Sequence, residues 1–360
     1  MTSECLDLMI LNSRKDDFVI LVIRRQTDVA ITEVPVDNNL KSLEAFRDRI
    51  RKALEPGREG RPLTSDLSKF GTDLFDFCFA QHREIFPKDP NRDIRVQMFS
   101  NRADIKAIPW EYIQPTEDSG PHLNRCVVRI VPSVGHSWKE RGLGQKLKIL
   151  FAASYPIDQE RVDWITVKDD IETSLGPYAA HVQLETLAPA DWSDFRRSIQ
   201  TFKPDVVHFS GHGSIASGQT QLFFMDKKTN QSQPVTSENV SAYIQERDIR
   251  LVVFTACDTS TMPKQLQGRA AVPVVAEELV RRGIRAVVAN QLPLPNATAA
   301  SFVGPLYRSL LQEHDIDKAV AEGRVELFTN LDNSSDAAKL EWGIPTLHRH
   351  LSGALPFEAK

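Results

Sequence analysis

A single histidine stands between two glycines at Gly211-His212-Gly213, directly after the apolar run VVHFS (206–210). Forty-five residues later a lone cysteine, Cys257, follows a second run, LVVFTA (251–256). A free thiol is mostly protonated at neutral pH and is then a poor nucleophile. An imidazole beside it can accept the proton, and the pair can then attack a carbonyl through a covalent intermediate. Gly213 has no side chain, so its N–H can approach an acyl oxygen closely. The N–H of Cys257 can point at the same place, and two such donors make an oxyanion hole worth about 3–4 kcal/mol per donor in the transition state. Gly211 is expected to let the chain turn sharply. Asp205 and Asp258 are candidate pocket residues that would favour a basic substrate side chain.

This chemistry needs both side chains on one edge of a sheet. The pattern around them supplies one. Strands are expected at 147–156, 181–188, 206–210, 251–256 and 284–293, with helices near 158–175, 192–202, 237–246 and 272–283. Alternating strands and helices mean a mainly parallel sheet covered on both faces. In such sheets functional residues follow the carboxyl ends of the strands. His212 and Cys257 hold that position on successive strands, and neighbouring strands lie about 4.8 Å apart. A hairpin is expected through 222–235, helices at 296–313 and 315–330, and a last strand at 344–351. Earlier in the chain, strands are expected at 18–25, 29–36, 94–99 and 126–133. Helical spacing joins Leu40, Leu43, Phe46, Ile50 and Leu54, and again Leu67, Phe70, Leu74 and Cys78. A loop is expected at 56–62, and IPWEYI (108–113) reads as a proline-bounded turn with Trp110 packed. The polar stretch SWKERGLGQK (137–146) is the linker candidate, which divides the chain into lobes 1–140 and 141–360.

Other readings compete at each residue. Cys257 can be a buried core cysteine. His208 lies inside its strand and reads as a core histidine or one that supports the site. SGHGS resembles a phosphate cradle, but a strand-like LFFMD follows it where a phosphate loop needs a helix N-terminus. His208, His212 and Cys257 lack metal-ligand spacing, so neither metal nor organic cofactor is expected. His348 and His350 are assigned to the surface or a pocket wall. Cys5, Cys78 and Cys126 are expected to pack.

Composition narrows the classes. The chain has 360 residues, 41% of them hydrophobic and 26% charged, with a formal net charge of −4. There is no basic excess to neutralise phosphates, so no nucleic-acid partner is expected. The apolar run near the N-terminus lacks a basic segment before it, and no apolar stretch approaches a membrane span, so neither secretion nor a membrane partner is expected. Four scattered cysteines with no CxxC suit a reducing, cytoplasmic setting rather than a disulfide framework.

The runs HFSGHG, LVVFTACDTS and IRAVVANQLPLPN, in that order, resemble the CHAT family of caspase-like cysteine peptidases, related to caspases and separases. IPWEYI, VVRIVPS and WGIPTLHRHLSG extend the likeness over about residues 90–360. The His-to-Cys spacing is close to the roughly 50 residues noted for caspases. The resemblance implies a caspase-like, mainly parallel sheet flanked by helices, and an N-terminal α/β lobe that is a degenerate caspase-like half. It implies His212 as the catalytic histidine, Cys257 as the nucleophile, and Gly213 and Cys257 as oxyanion donors. Many relatives carry Glu at the position of Asp258. The function expected on this basis is a cysteine endopeptidase with a protein substrate. Helical repeats common in the family are not visible, which leaves activation to a separate protein partner. A bacterial origin and antiviral defence are the setting the family suggests. The rival expectation is an inactive pseudopeptidase that binds proteins through the same cleft, with a small-molecule hydrolase or acyltransferase behind it.

Overall fold

The first strand, β1 (Glu4–Asn12), is absent from the strands expected above. Its pattern has period two: Leu6, Leu8 and Ile10 are buried while Asp7, Met9 and Leu11 are half-buried. It pairs antiparallel with β2 (Phe18–Arg25), which pairs in turn with β3 (Asp28–Pro35). The computed structural model describes every residue except 1–3, 14–17, 36–44, 46–63, 87–93, 117–124, 133–145, 217–218, 245–247, 256–270, 293, 313–314, 330–337 and 351–360. The loop expected at 56–62 lies outside the described residues, as do the linker candidate apart from Lys146 and the helix expected over Leu40–Leu54 apart from residue 45. The chain divides into two compact units, residues 1–130 with 324–344 and residues 131–323 with 345–360.

In the first unit the strand order is β3-β2-β1-β4-β5, with β4 at Ile94–Ser100 and β5 at Arg125–Ile130. β1, β4 and β5 run parallel. Helix α1 (Thr64–Phe79) buries Leu67, Phe70, Leu74 and Cys78, the face its spacing predicts. The IPWEYI stretch is a turn of 3-10 helix, Trp110–Tyr112, with both rings buried. Between them Glu111 takes a bidentate pair from Arg129 at 2.9 and 2.7 Å, and Arg129 also donates to the carbonyl of Ile108 at 3.1 Å. Burial pushes the Glu111 carboxyl up, but the adjacent Arg129 outweighs it and holds the group below the ordinary carboxylate range.

The second unit carries the expected rhythm. Its strands are β6 (Leu147–Ala153), β7 (Val182–Leu187), β8 (Val206–Ser210), β12 (Leu251–Phe254), β13 (Ala286–Asn290) and β14 (Pro345–Arg349). Their order is β14-β13-β12-β8-β6-β7, parallel throughout except β14. A small antiparallel sheet lies between β8 and β12 in sequence: β9 (His212–Ala216), β10 (Gln219–Met225) and β11 (Ser232–Thr236). The helices are α2 (Trp164–Leu175), α3 (Trp192–Phe202), α4 (Ser237–Ile244), α5 (Ala271–Arg281), α6 (Asn296–Leu311) and the part of α7 (Ile316–Thr329) up to Gly323. One core gathers Phe195 and Ile199 of α3, Val240 of α4 and Leu279 of α5 with Val207, Phe209, Val252 and Phe254. Tyr307 of α6 meets His208 from β8. Every residue of β8, β12, β13 and β14 is buried, as the nearly unbroken apolar sequences of the first three require.

Candidate active site

β8 and β12 are neighbours, with Val253 opposite His208 and Phe254 opposite Phe209. The two chains therefore leave the sheet at the same edge, as the sequence requires if His212 and Cys257 are to act together. Gly211 is fixed by space rather than by a left-handed turn: a Cβ there would sit 2.8 Å from the Phe209 ring and 3.1 Å from the Ser154 carbonyl oxygen. His212 and Gly213 follow as the first residues of β9, opposite Phe223 and Leu222 of β10. Both are buried.

His212 is 4% exposed and its Nε2 lies 2.7 Å from the carbonyl oxygen of Glu160. A carbonyl only accepts, so Nε2 carries the proton and, in the neutral ring, Nδ1 carries the lone pair. Glu160 was not among the expected site residues, because a main-chain carbonyl leaves no mark in the residue type. It lies in the loop from β6 to α2. The expected helix start at 158 gives way to Trp164, and Asp163 caps that start by accepting from the N–H and hydroxyl of Thr166.

The same loop is clasped to the turn between β10 and β11. Ile157 N–H donates to the Asn230 carbonyl at 2.9 Å. Ser232 donates to Asp158 from its N–H at 2.8 Å and its hydroxyl at 2.6 Å. Slight burial pushes the Asp158 carboxyl up, but these two bonds outweigh it and hold the group below its usual range. Replacing Asp158 by alanine is expected to free the loop and lower turnover about 3- to 10-fold with KM little changed, in line with the loss of one or two modest hydrogen bonds. Steady-state kinetics of that variant on a cleaved peptide check this.

Cys257 and Asp258 lie outside the described residues. The described part of β12's chain ends at Thr255, whose N–H donates to the Phe209 carbonyl at 3.1 Å. Asp205 does not belong to this edge. It precedes β8, at the amino ends of the parallel strands, where it accepts from Lys148 N–H at 3.0 Å and faces Arg250 at 3.7 Å. Six strand steps, about 20 Å, separate it from Gly211.

His208 is a core histidine, as expected, fully buried between Tyr307 and Thr255. His348 is buried too, contrary to its assignment to the surface or a pocket wall, because β14 is covered on both faces. Its neighbour His350 is half-buried. Cys78 and Cys126 pack as expected, and burial pushes the Cys78 thiol far up. Cys5 instead is exposed on β1. Among the described residues no cluster of three His, Cys, Asp or Glu side chains could hold a metal. Among them no helix is long and apolar enough to cross a membrane.

A model of the CHAT domain matches residues 69–348. The chain belongs to the CHAT-domain family. No curated protein matches the sequence. Among solved structures the chain is similar to a chain of the separase–securin complex of Saccharomyces cerevisiae, with a TM-score of 0.50 and 9% identity over 97% of this CHAT protein. It spans only 30% of that chain's length. It is also similar to the Arg-specific cysteine proteinase gingipain R (TM-score 0.40, 10% identity, 89% of this chain and 69% of that one). Caspase-1 of Spodoptera frugiperda is another (TM-score 0.40, 12% identity, 64% and 99%). The CHAT chain has the caspase-like α/β fold, a mixed, mostly parallel sheet flanked by helices.

Proposed function

We propose that this CHAT protein is a cysteine endopeptidase in which His212 and Cys257 form the catalytic dyad. The observation that carries the reading is the bond from His212 Nε2 to the Glu160 carbonyl. It fixes the ring, with the lone pair on Nδ1, at the edge where β12, three residues short of Cys257, leaves the sheet. In this reading the Cys257 thiol passes its proton to His212 Nδ1 and the sulfur bonds to the scissile carbonyl carbon. The N–H groups of Gly213 and Cys257 hold the oxyanion. The oxyanion collapses, the C–N bond breaks, and the amine leaves with the proton from His212. Water then adds to the thioester, giving its proton to His212. The C–S bond breaks, the acid departs and the sulfur regains its proton.

The substrate in this reading is a protein. The separase to which the chain is similar was solved with securin, and a regulatory protein partner suits this CHAT chain. Bacterial antiviral defence is the setting the family resemblance suggests.

A peptide acyloxymethyl ketone, which alkylates activated thiols, tests the assignment when applied with and without the protein products of neighbouring genes. One label on Cys257, absent from Cys257→Ala, is expected. Cells carrying the wild type should show new protein N-termini that the variant lacks. An unlabelled Cys257 under every condition, with identical N-termini in both, would establish the protein as an interaction module instead.

A further inference from the structure

The last described point on β12's chain is held from two directions. Thr255 N–H continues the ladder onto the Phe209 carbonyl at 3.1 Å. Its hydroxyl meets Nε2 of His208 at 2.7 Å, and the other ring nitrogen, Nδ1, meets the Tyr307 hydroxyl at 3.0 Å. The bridge therefore runs from α6, through β8, to the end of β12. A neutral imidazole has one donor and one acceptor, and both hydroxyls can act in either sense, so both bonds are satisfied in either tautomer. The ring is also held by its faces. Tyr307 stacks on it with centroids 5.9 Å apart and planes 23° apart, and Phe151 of β6 lies 5.1 Å away.

Nothing in the packing alone calls for a histidine here. The neighbouring positions in register, Phe151 on β6 and Val253 on β12, are apolar. Burying an imidazole costs desolvation that valine or leucine would avoid. What the imidazole adds is direction: two hydrogen bonds fix an angle, whereas apolar contacts tolerate sliding. The angle fixed is that of Thr255, two residues before Cys257. Thr255 is the last described residue before Cys257, so the angle fixed there is the one from which the chain continues to the nucleophile. A misplacement of about 1 Å at a reacting atom can cost about 10²-fold in rate.

We propose that His208 is a positioning residue which, with Tyr307 and Thr255, sets the line along which β12 delivers Cys257 to His212. The inference rests on the peptidase reading above. It adds that the nucleophile's placement is governed from the buried helix α6, through groups that touch neither substrate nor reacting atoms.

The test uses the full chain with any partner needed for activity. Thr255→Val removes the hydroxyl and keeps the shape, Thr255→Ser keeps the hydroxyl, and Tyr307→Phe removes the far anchor. Alkylation of Cys257 by the acyloxymethyl ketone is followed from pH 5 to 9, alongside kcat and KM. Thr255→Val is expected to lower kcat and the alkylation rate 10- to 100-fold with KM unchanged. Thr255→Ser should stay within about threefold of wild type, and Tyr307→Phe should fall between. Wild-type rates in Thr255→Val, or a loss in Thr255→Ser as large as in Thr255→Val, overturn the positioning role while leaving the peptidase intact. A wild-type Cys257 that is never labelled overturns both.

Discussion

Replacing His212 by alanine is expected to lower kcat/KM about 10³- to 10⁴-fold, the upper part of the range for loss of a general acid–base group. The buried ring donates to a main-chain oxygen through Nε2, so in the proposed dyad the proton transfer runs through Nδ1. Without it the thiol must ionise on its own, and at neutral pH only a small fraction does. The departing amine also loses its proton donor. Substrate contacts and the oxyanion donors remain, so the fall should appear in kcat with KM within a few-fold. Peptide cleavage measured from pH 5.5 to 9.5 provides the check. The rate in His212→Ala should rise steadily with pH as thiolate accumulates, whereas the wild type reaches a plateau earlier. A loss smaller than tenfold, with the wild-type pH profile kept, would remove His212 from the proton path.

The second large effect concerns folding and acid. Burial pushes His208 down to about 3, because the charged ring would lie in a core without a compensating anion. The groups around it, Tyr307, Thr255 and Phe151, carry no negative charge. In the unfolded chain the same histidine titrates near the ordinary 6.5. Between those values the unfolded state binds a proton that the native state does not. Stability is therefore untouched above about pH 6.5, falls as pH drops through that value, and stops falling below about 3. Across the whole window the loss approaches about 5 kcal/mol, and about 3 kcal/mol of it comes by pH 4.5. That is a large share of the 5–15 kcal/mol typical of a domain. Urea unfolding at pH 7 and 4.5 should show His208→Gln losing about 3 kcal/mol less than the wild type between the two. Equal losses in both proteins would show that the ring does not resist protonation.

Much of the second unit was legible because its strands are continuous apolar runs and each site residue ends one. The run VVHFS stops at Gly211, and the structure adds the reason: a Cβ would strike the Phe209 ring. β1 was harder to see. Its other face carries Asp7 among Met9 and Leu11, which blurs the alternation, and Asp7 is matched across the strand by Arg24. Asp205 was misplaced through strand direction. It precedes its strand, so the rule that directed attention to His212 places Asp205 at the opposite edge. His348 sits on a strand buried on both faces, where Thr346 Oγ1 lies 3.1 Å from its Nε2. Burial on both faces of β14 depends on what packs around it, which one sequence does not state. The partner of His212 was hidden for another reason: it is an oxygen that every residue type possesses.

That hidden oxygen changes how variation in this chain should be read. Whatever amino acid occupies position 160, the acceptor stays. Random point changes there can drift without touching the imidazole, while the gain or loss of one residue between β6 and α2 would shift the carbonyl off register. Length, rather than identity, is what selection would guard in this loop.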